Sequence, residues 1–165
     1  MAKTYEPIST QTLGSTTATV TFSSIPQTYT DLVLIISAAS SVVQDPIIRL
    51  NSDTASNYSF TTLTGNGTSA SSARGSNQTS MGQNYFGSDS TTLGENARVI
   101  QFLNYSNTNM YKQIICRGGR GNTDGLTFLV NTWINTAAIT SISFHTGSGT
   151  YSVGSTFTLY GIAAA

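Results

Sequence analysis

No window of this 165-residue chain keeps apolar side chains at helical spacing for several turns. Apolar residues arrive in short runs instead, the longest being the five of Leu32 to Ile36. Such a chain can bury its hydrophobic groups only as short strands. Its composition agrees: fifty residues are Ser or Thr, and these, with Gly and the β-branched residues, are mediocre or poor helix formers.

Strand signals recur from end to end. Ala18-Thr19-Val20-Thr21-Phe22 alternates apolar and hydroxyl residues, the period of a half-buried strand. Asp31 to Ser37 is a continuous apolar run, which predicts a central strand covered on both faces. Pro46 to Leu50 and Tyr58 to Leu63 follow, Pro46 suiting a strand start or an edge. Residues 64–96 are mostly turn formers (Gly65-Asn66-Gly67, Gly75-Ser76-Asn77, Ser88-Asp89-Ser90) and read as a long insertion. Strands resume at Ala97 to Leu103, Tyr111 to Arg117, Leu126 to Trp133, Ile139 to Phe144 and Phe157 to Ile162, with Gly118 to Asn122 as a turn. The expectation is one all-β domain over residues 1–165, an antiparallel β-sandwich of nine or ten strands. A jelly roll is the first choice and an immunoglobulin-like sandwich the alternative.

The chemistry on offer is thin. The chain has one His, one Cys and seven carboxylates, and its formal net charge is zero. A lone Cys116 excludes an internal disulfide and a Cys-rich zinc site, and its strand setting reads as a small buried hydrophobe. No basic stripe marks a nucleic-acid face. The Met1 to Tyr5 start lacks the apolar core of a signal peptide, and no run is long enough for a membrane-spanning helix. His145 lacks a nucleophile elbow nearby, and it reads as a hydrogen-bonded residue at a strand end. The carboxylates, Glu6, Asp31, Asp45, Asp53, Asp89, Glu95 and Asp124, mostly adjoin turns, so a glycosidase pair is disfavoured. The oxygen-rich Asn51 to Asn57 segment lacks the charge density of a calcium loop and reads as a turn. Trp133 with Tyr105 and Tyr111 is a possible aromatic sugar platform, although aromatics in sandwiches are more often core. The expectation is a protein that is not an enzyme and uses no cofactor or metal.

Two segments carry a family resemblance. The ending runs Ile139-Thr140-Ser141-Ile142-Ser143-Phe144, Gly147-Ser148-Gly149-Thr150-Tyr151, then Gly154 through Phe157-Thr158-Leu159-Tyr160-Gly161-Ile162. The opening runs Tyr5-Glu6-Pro7-Ile8, Thr19 to Pro26 and Tyr29-Thr30-Asp31-Leu32. Together they resemble small virion proteins of tailed phages, including phages of cyanobacteria and other aquatic bacteria. The resemblance covers roughly a third of the chain. It implies a capsid cement or decoration protein on the capsid exterior, bound to the major capsid protein as a homo-oligomer, with a trimer favoured. Its alternative is a head-fibre or tail-fibre module that grips host polysaccharide.

The last strand is apolar on both faces: Phe157, Leu159 and Gly161 on one, Thr158, Tyr160 and Ile162 on the other. A strand of that kind belongs in the centre of a sheet or under a partner. Tyr5 and Pro7 in the N-terminal segment, Met81, Tyr85 and Phe86 in the insertion, and Tyr160 and Ile162 are therefore the candidate interface residues.

Overall fold

The computed structural model describes residues 4–82, 88–120 and 125–163. Among these, the chain forms eleven strands and no helix. They are β1 (Tyr5–Thr12), β2 (Thr19–Phe22), β3 (Asp31–Ser37), β4 (Pro46–Leu50), β5 (Tyr58–Gly65), β6 (Ala70–Gln78), β7 (Asn96–Leu103), β8 (Lys112–Arg120), β9 (Gly125–Trp133), β10 (Ile142–Thr146) and β11 (Thr156–Ile162). Eight of them make one sheet in the order β1-β11-β3-β7-β8-β9-β5-β6, and the other three make a second, β2-β10-β4. Neighbours pair antiparallel throughout. The antiparallel sandwich that the sequence predicts is the observed architecture.

The core lies between the two sheets. The large sheet contributes Leu32, Leu34, Ile36, Ile100, Phe102, Ile114, Leu129, Phe157 and Leu159, and the small one Val20, Phe22, Ile48, Leu50, Ile142 and Phe144. Strand alternation selects them, since every second residue of β2, β4, β7 and β11 is buried. Phe157 joins the layers, with its ring centroid 5.8 Å from that of Phe144 and 5.2 Å from that of Tyr151. Leu34 has no exposed surface, and truncating such a residue to alanine removes roughly 2–5 kcal/mol.

Several boundaries differ from the sequence reading, for physical reasons. β1 and β6 were not expected as strands. β1 pairs with β11 along its length, so the N-terminal segment covers the edge of the last strand. β6 buries none of its side chains, and it is held through its pairing with β5. Gly118 to Arg120 continue β8 instead of turning. Side chains at Gly118 and Gly119 would meet the carbonyls of Ala97 and Gly125 at 2.6 and 2.1 Å, so these glycines permit close strand approach. β3 is central, between β11 and β7, but only its inward face is fully covered, because Ile35 on the other face stays exposed.

The 64–96 segment is not a free insertion. β6 extends the large sheet, Met81 bridges to Ile48, and Asp89 pairs with Gln44 through its backbone. At the C-terminal end, Gly161 lies beneath the Tyr29 ring, where a Cβ would sit 2.3 Å from ring carbons. The Tyr29 hydroxyl in turn donates to Glu6 Oε2 at 3.1 Å, which ties β1 to the loop before β3.

Candidate interaction surface

A sheet of eight strands packed on a sheet of three leaves one broad face without cover. On the outer side of the large sheet, pairing aligns Ile35, Val99, Arg117, Phe128 and Leu63 in one row across β3, β7, β8, β9 and β5. The next row runs Tyr160, Val33, Gln101, Ile115, Val130 and Thr61. Ile35, Phe128, Leu63 and Leu126 on this face are 44%, 42%, 51% and 59% exposed. Among the described residues its charged side chains are Arg117 near the middle, Arg74 on β6, and Asp31 at one end, where Oδ1 accepts the Asn104 amide at 2.7 Å. Leu63, Phe128 and Leu126 adjoin one another across β5 and β9, and a contiguous apolar patch on a folded surface is a mark of a contact region.

Four of the seven candidate interface residues meet at one corner of this face. Tyr5 lies opposite Ile162, and Pro7 opposite Tyr160. The Tyr5 and Tyr160 rings make an edge-to-face contact at 6.3 Å and 80°. Tyr5 and Pro7 are exposed, while Tyr160 and Ile162 are half-buried. Met81 is different: it has no exposed surface and belongs to the core, so it offers nothing to a partner. Tyr85 and Phe86 lie outside the described residues. The exposed residues Ile35, Leu63, Leu126 and Phe128 were not singled out in the sequence, where each reads as an ordinary strand residue.

The residues weighed for chemistry are occupied structurally. His145, on β10, has Thr19 Oγ1 at 3.0 Å from Nδ1 and Ser143 Oγ at 2.9 Å from Nε2. Burial, helped by Arg49, lowers its pKa, so the ring is neutral at pH 7 and bonded to hydroxyls on both sides. Cys116 faces the core, and burial pushes its thiol up to about 12, which keeps it protonated and unreactive. In the Asn51 to Asn57 turn, Asn51 Oδ1 accepts the amides of Thr140 and Ser141 at 2.8 and 3.0 Å. The Asp53 carboxylate accepts the Ala55 amide, the Asn57 side-chain amide and the Trp133 indole N–H, each at 2.8 Å. Burial opposes ionisation of Asp53, but these donors outweigh it and hold its pKa below the usual value. Among the described residues no group of three or more His, Cys, Asp or Glu side chains converges. Trp133 and Tyr105 are buried and Tyr111 is exposed, so the three do not form a sugar platform.

The structure also assembles a buried polar knot that sequence reading missed. Arg98 on β7 hydrogen-bonds Asp89, and both side chains are almost wholly buried. Burial raises the Asp89 pKa against the pull of Arg98, and it likewise raises that of Asp45 nearby. Arg98 keeps step with buried Asn96 and Ile100 on one face of β7, which is the signal of an inward cation. Asp89 carries no such signal, because it lies outside any strand and its place follows from backbone pairing with Gln44.

No family model matches the chain, and neither a curated protein nor a solved structure matches it.

Proposed function

We propose that this chain is a structural protein of a tailed-phage particle, a decoration or cement protein that seats on the major capsid protein shell and has no catalytic role. The observation that supports this reading is the uncovered face of the eight-stranded sheet. Strands about 4.8 Å apart and roughly eight residues long at about 3.4 Å each give a face on the order of 1,000 Å². A standard stable interface needs about 800 Å² per partner. The face is apolar and hydroxyl-rich with few charges, so contact through it is expected to depend only weakly on salt. The corner built by Tyr5, Pro7, Tyr160 and Ile162 would extend that contact, and association as a homotrimer follows the phage resemblance.

The mechanism is adhesive. A protein bridging neighbouring capsid subunits adds buried area that resists pressure from within. The test is the protein content of particles purified from the virus that encodes the chain. Gel densitometry against the major capsid band should find hundreds of copies per particle. Tens of copies or fewer would point to a fibre module, and complete absence from particles would end the virion reading.

A further inference from the structure

Among the described residues, three asparagines fold the side chain back onto the backbone amide two residues on. Asn66 Oδ1 accepts the Thr68 amide at 3.0 Å, Asn107 Oδ1 the Asn109 amide at 2.7 Å, and Asn135 Oδ1 the Ala137 amide at 2.9 Å. Each bond closes a ring that contains both the side-chain carbonyl carbon Cγ and the peptide nitrogen of the following residue. The following residue differs. Thr108 and Thr136 set a β-branched side chain beside that nitrogen, whereas Gly67 sets none. Gly67 has φ 86°, so the turn itself demands glycine there.

Asn66 and Gly67 are exposed at the tip of the β5–β6 hairpin. Two more donors reach Asn66 Oδ1, the Ser69 amide at 2.8 Å and the Ser69 hydroxyl at 3.3 Å. Three donors on one carbonyl oxygen draw electrons from Cγ and stabilise the negative charge that builds on Oδ1 when Cγ is attacked. The Gly67 N–H and the Asn66 Nδ2 have no hydrogen-bond partner among the described residues. The attacking nitrogen is thus unencumbered, and so is the nitrogen that would leave.

We propose that Asn66 is a site of self-modification, at which the Gly67 nitrogen displaces the side-chain amide and water then converts residue 66 to aspartate. In the first step the Gly67 nitrogen loses its proton to solvent and bonds to Asn66 Cγ. The Cγ–Nδ2 bond breaks, and Nδ2 takes a solvent proton and departs as ammonia, leaving a five-membered imide. Water adding at Cγ reopens the ring to aspartate on a normal backbone. Water adding at the main-chain carbon instead routes the chain through Cγ, as isoaspartate. The hairpin favours the first product. The Asn66 amide donates to Ser69 O at 3.2 Å and Gly65 pairs with Ala70, a spacing that a longer backbone breaks. Aspartate also keeps the Thr68 and Ser69 donors and makes their bonds charge-assisted. The reaction adds one negative charge to a chain of zero formal net charge. That charge appears at the rim of the open face, next to Gly65 and its β9 neighbour Leu126.

The test ages the folded protein at mildly alkaline pH beside a synthetic peptide of residues 63–72, with peptide mapping by mass spectrometry and chromatography that separates aspartate from isoaspartate. Asn66 should lose its amide at least about tenfold faster than Asn107 or Asn135, and no more slowly than in the peptide. Aspartate should exceed isoaspartate in the protein by more than it does in the peptide. Asn66→Asp, made directly, should leave the urea midpoint unchanged or raised and should slow hydrogen exchange at the Thr68 and Ser69 amides. Conversion of Asn66 at the rate of Asn107 and Asn135, or more slowly than in the peptide, would overturn the proposal. So would the peptide's own product ratio in the folded protein, or a lowered midpoint in Asn66→Asp.

Discussion

Asp53 offers the sharpest test of how this sandwich is held. Its carboxylate accepts hydrogen bonds from the Ala55 amide, the Asn57 side chain and the indole of Trp133, all at 2.8 Å. The first two donors lie in a surface turn and can turn to water when the carboxylate is removed. The Trp133 side chain is 1% exposed and stacks on Tyr58 with ring centroids 6.5 Å apart, so its N–H has no such outlet. A hydrogen bond to a charged group is worth about 1.5–3 kcal/mol, and a buried donor left bare costs a similar amount. Asp53→Ala should therefore destabilise the protein by about 2–3 kcal/mol, which lowers Tm by roughly 4–12 °C for a chain of this size. Asp53→Asn keeps an acceptor for the indole but loses the charge, and its loss should be about half as large.

The same site predicts a pH dependence. Because the folded pKa of Asp53 lies below the ordinary value of 3.8, the unfolded chain takes up the proton first as pH falls. The contribution of Asp53 is complete above 3.8 and disappears as pH drops through the folded value. The stability gap between wild type and Asp53→Asn should be full at pH 7 and should narrow below about pH 4. Urea unfolding read by fluorescence is suited to this measurement, because Trp133 is the only tryptophan in the chain and is itself a partner in the bond. A loss below about 0.5 kcal/mol in Asp53→Ala would refute the argument. So would an Asp53→Asn gap that is the same at pH 3 and pH 7.

Three further substitutions probe other parts of the fold. Arg98→Met leaves the Asp89 carboxylate buried without its partner and should cost about 3–5 kcal/mol in urea unfolding, whereas Arg98→Met with Asp89→Leu should recover most of that loss. Gly161→Ala drives a methyl group into the Tyr29 ring and should lower stability by about 1–3 kcal/mol, and the same change in a Tyr29→Ala background should cost much less, as a double-mutant cycle will report. Asn131 is wholly buried on β9, opposite Ile114 and Phe60, and neither atom of its amide has a hydrogen-bond partner. Asn131→Leu should raise the urea midpoint, by about 1–2 kcal/mol at zero denaturant.

The sequence disclosed most where burial itself imposes a pattern. The bounds of β3 and β4 read directly, because Asp31–Ser37 and Pro46–Leu50 are dense in residues that must leave water. β6 was illegible for the opposite reason: Ala70–Gln78 buries no side chain, so its strand character comes from the β5 backbone and not from its own residues. The glycines at 118 and 119 misled in a related way. A pair of glycines ordinarily signals a turn, but here the missing Cβ atoms admit the carbonyls of Ala97 and Gly125. Parity along β11 put Tyr160 and Ile162 on one face together, and the burial pattern of the folded strand shows that face to be the outer one, while Met81 had no periodic context, and only its bridge to Ile48 assigns it to the core.

The open face was beyond sequence reading for a deeper reason. Whether Ile35 or Phe128 meets solvent is not a property of β3 or β9; it depends on the second sheet having three strands and lying on one side only. The hydroxyl-rich composition then acquires a physical role. Thr61, Thr132 and Thr158 share the outward face with Ile35, Leu63, Val130 and Phe128, and they break up the apolar surface while adding no charge. Such a face can stay solvated when free and still shed its water readily against a complementary surface, since few ions need to be desolvated. Arg117 is the exception in the middle of it. A partner seated on this face has to leave Arg117 a route to water or offer it a carboxylate, and a surface that does neither is excluded.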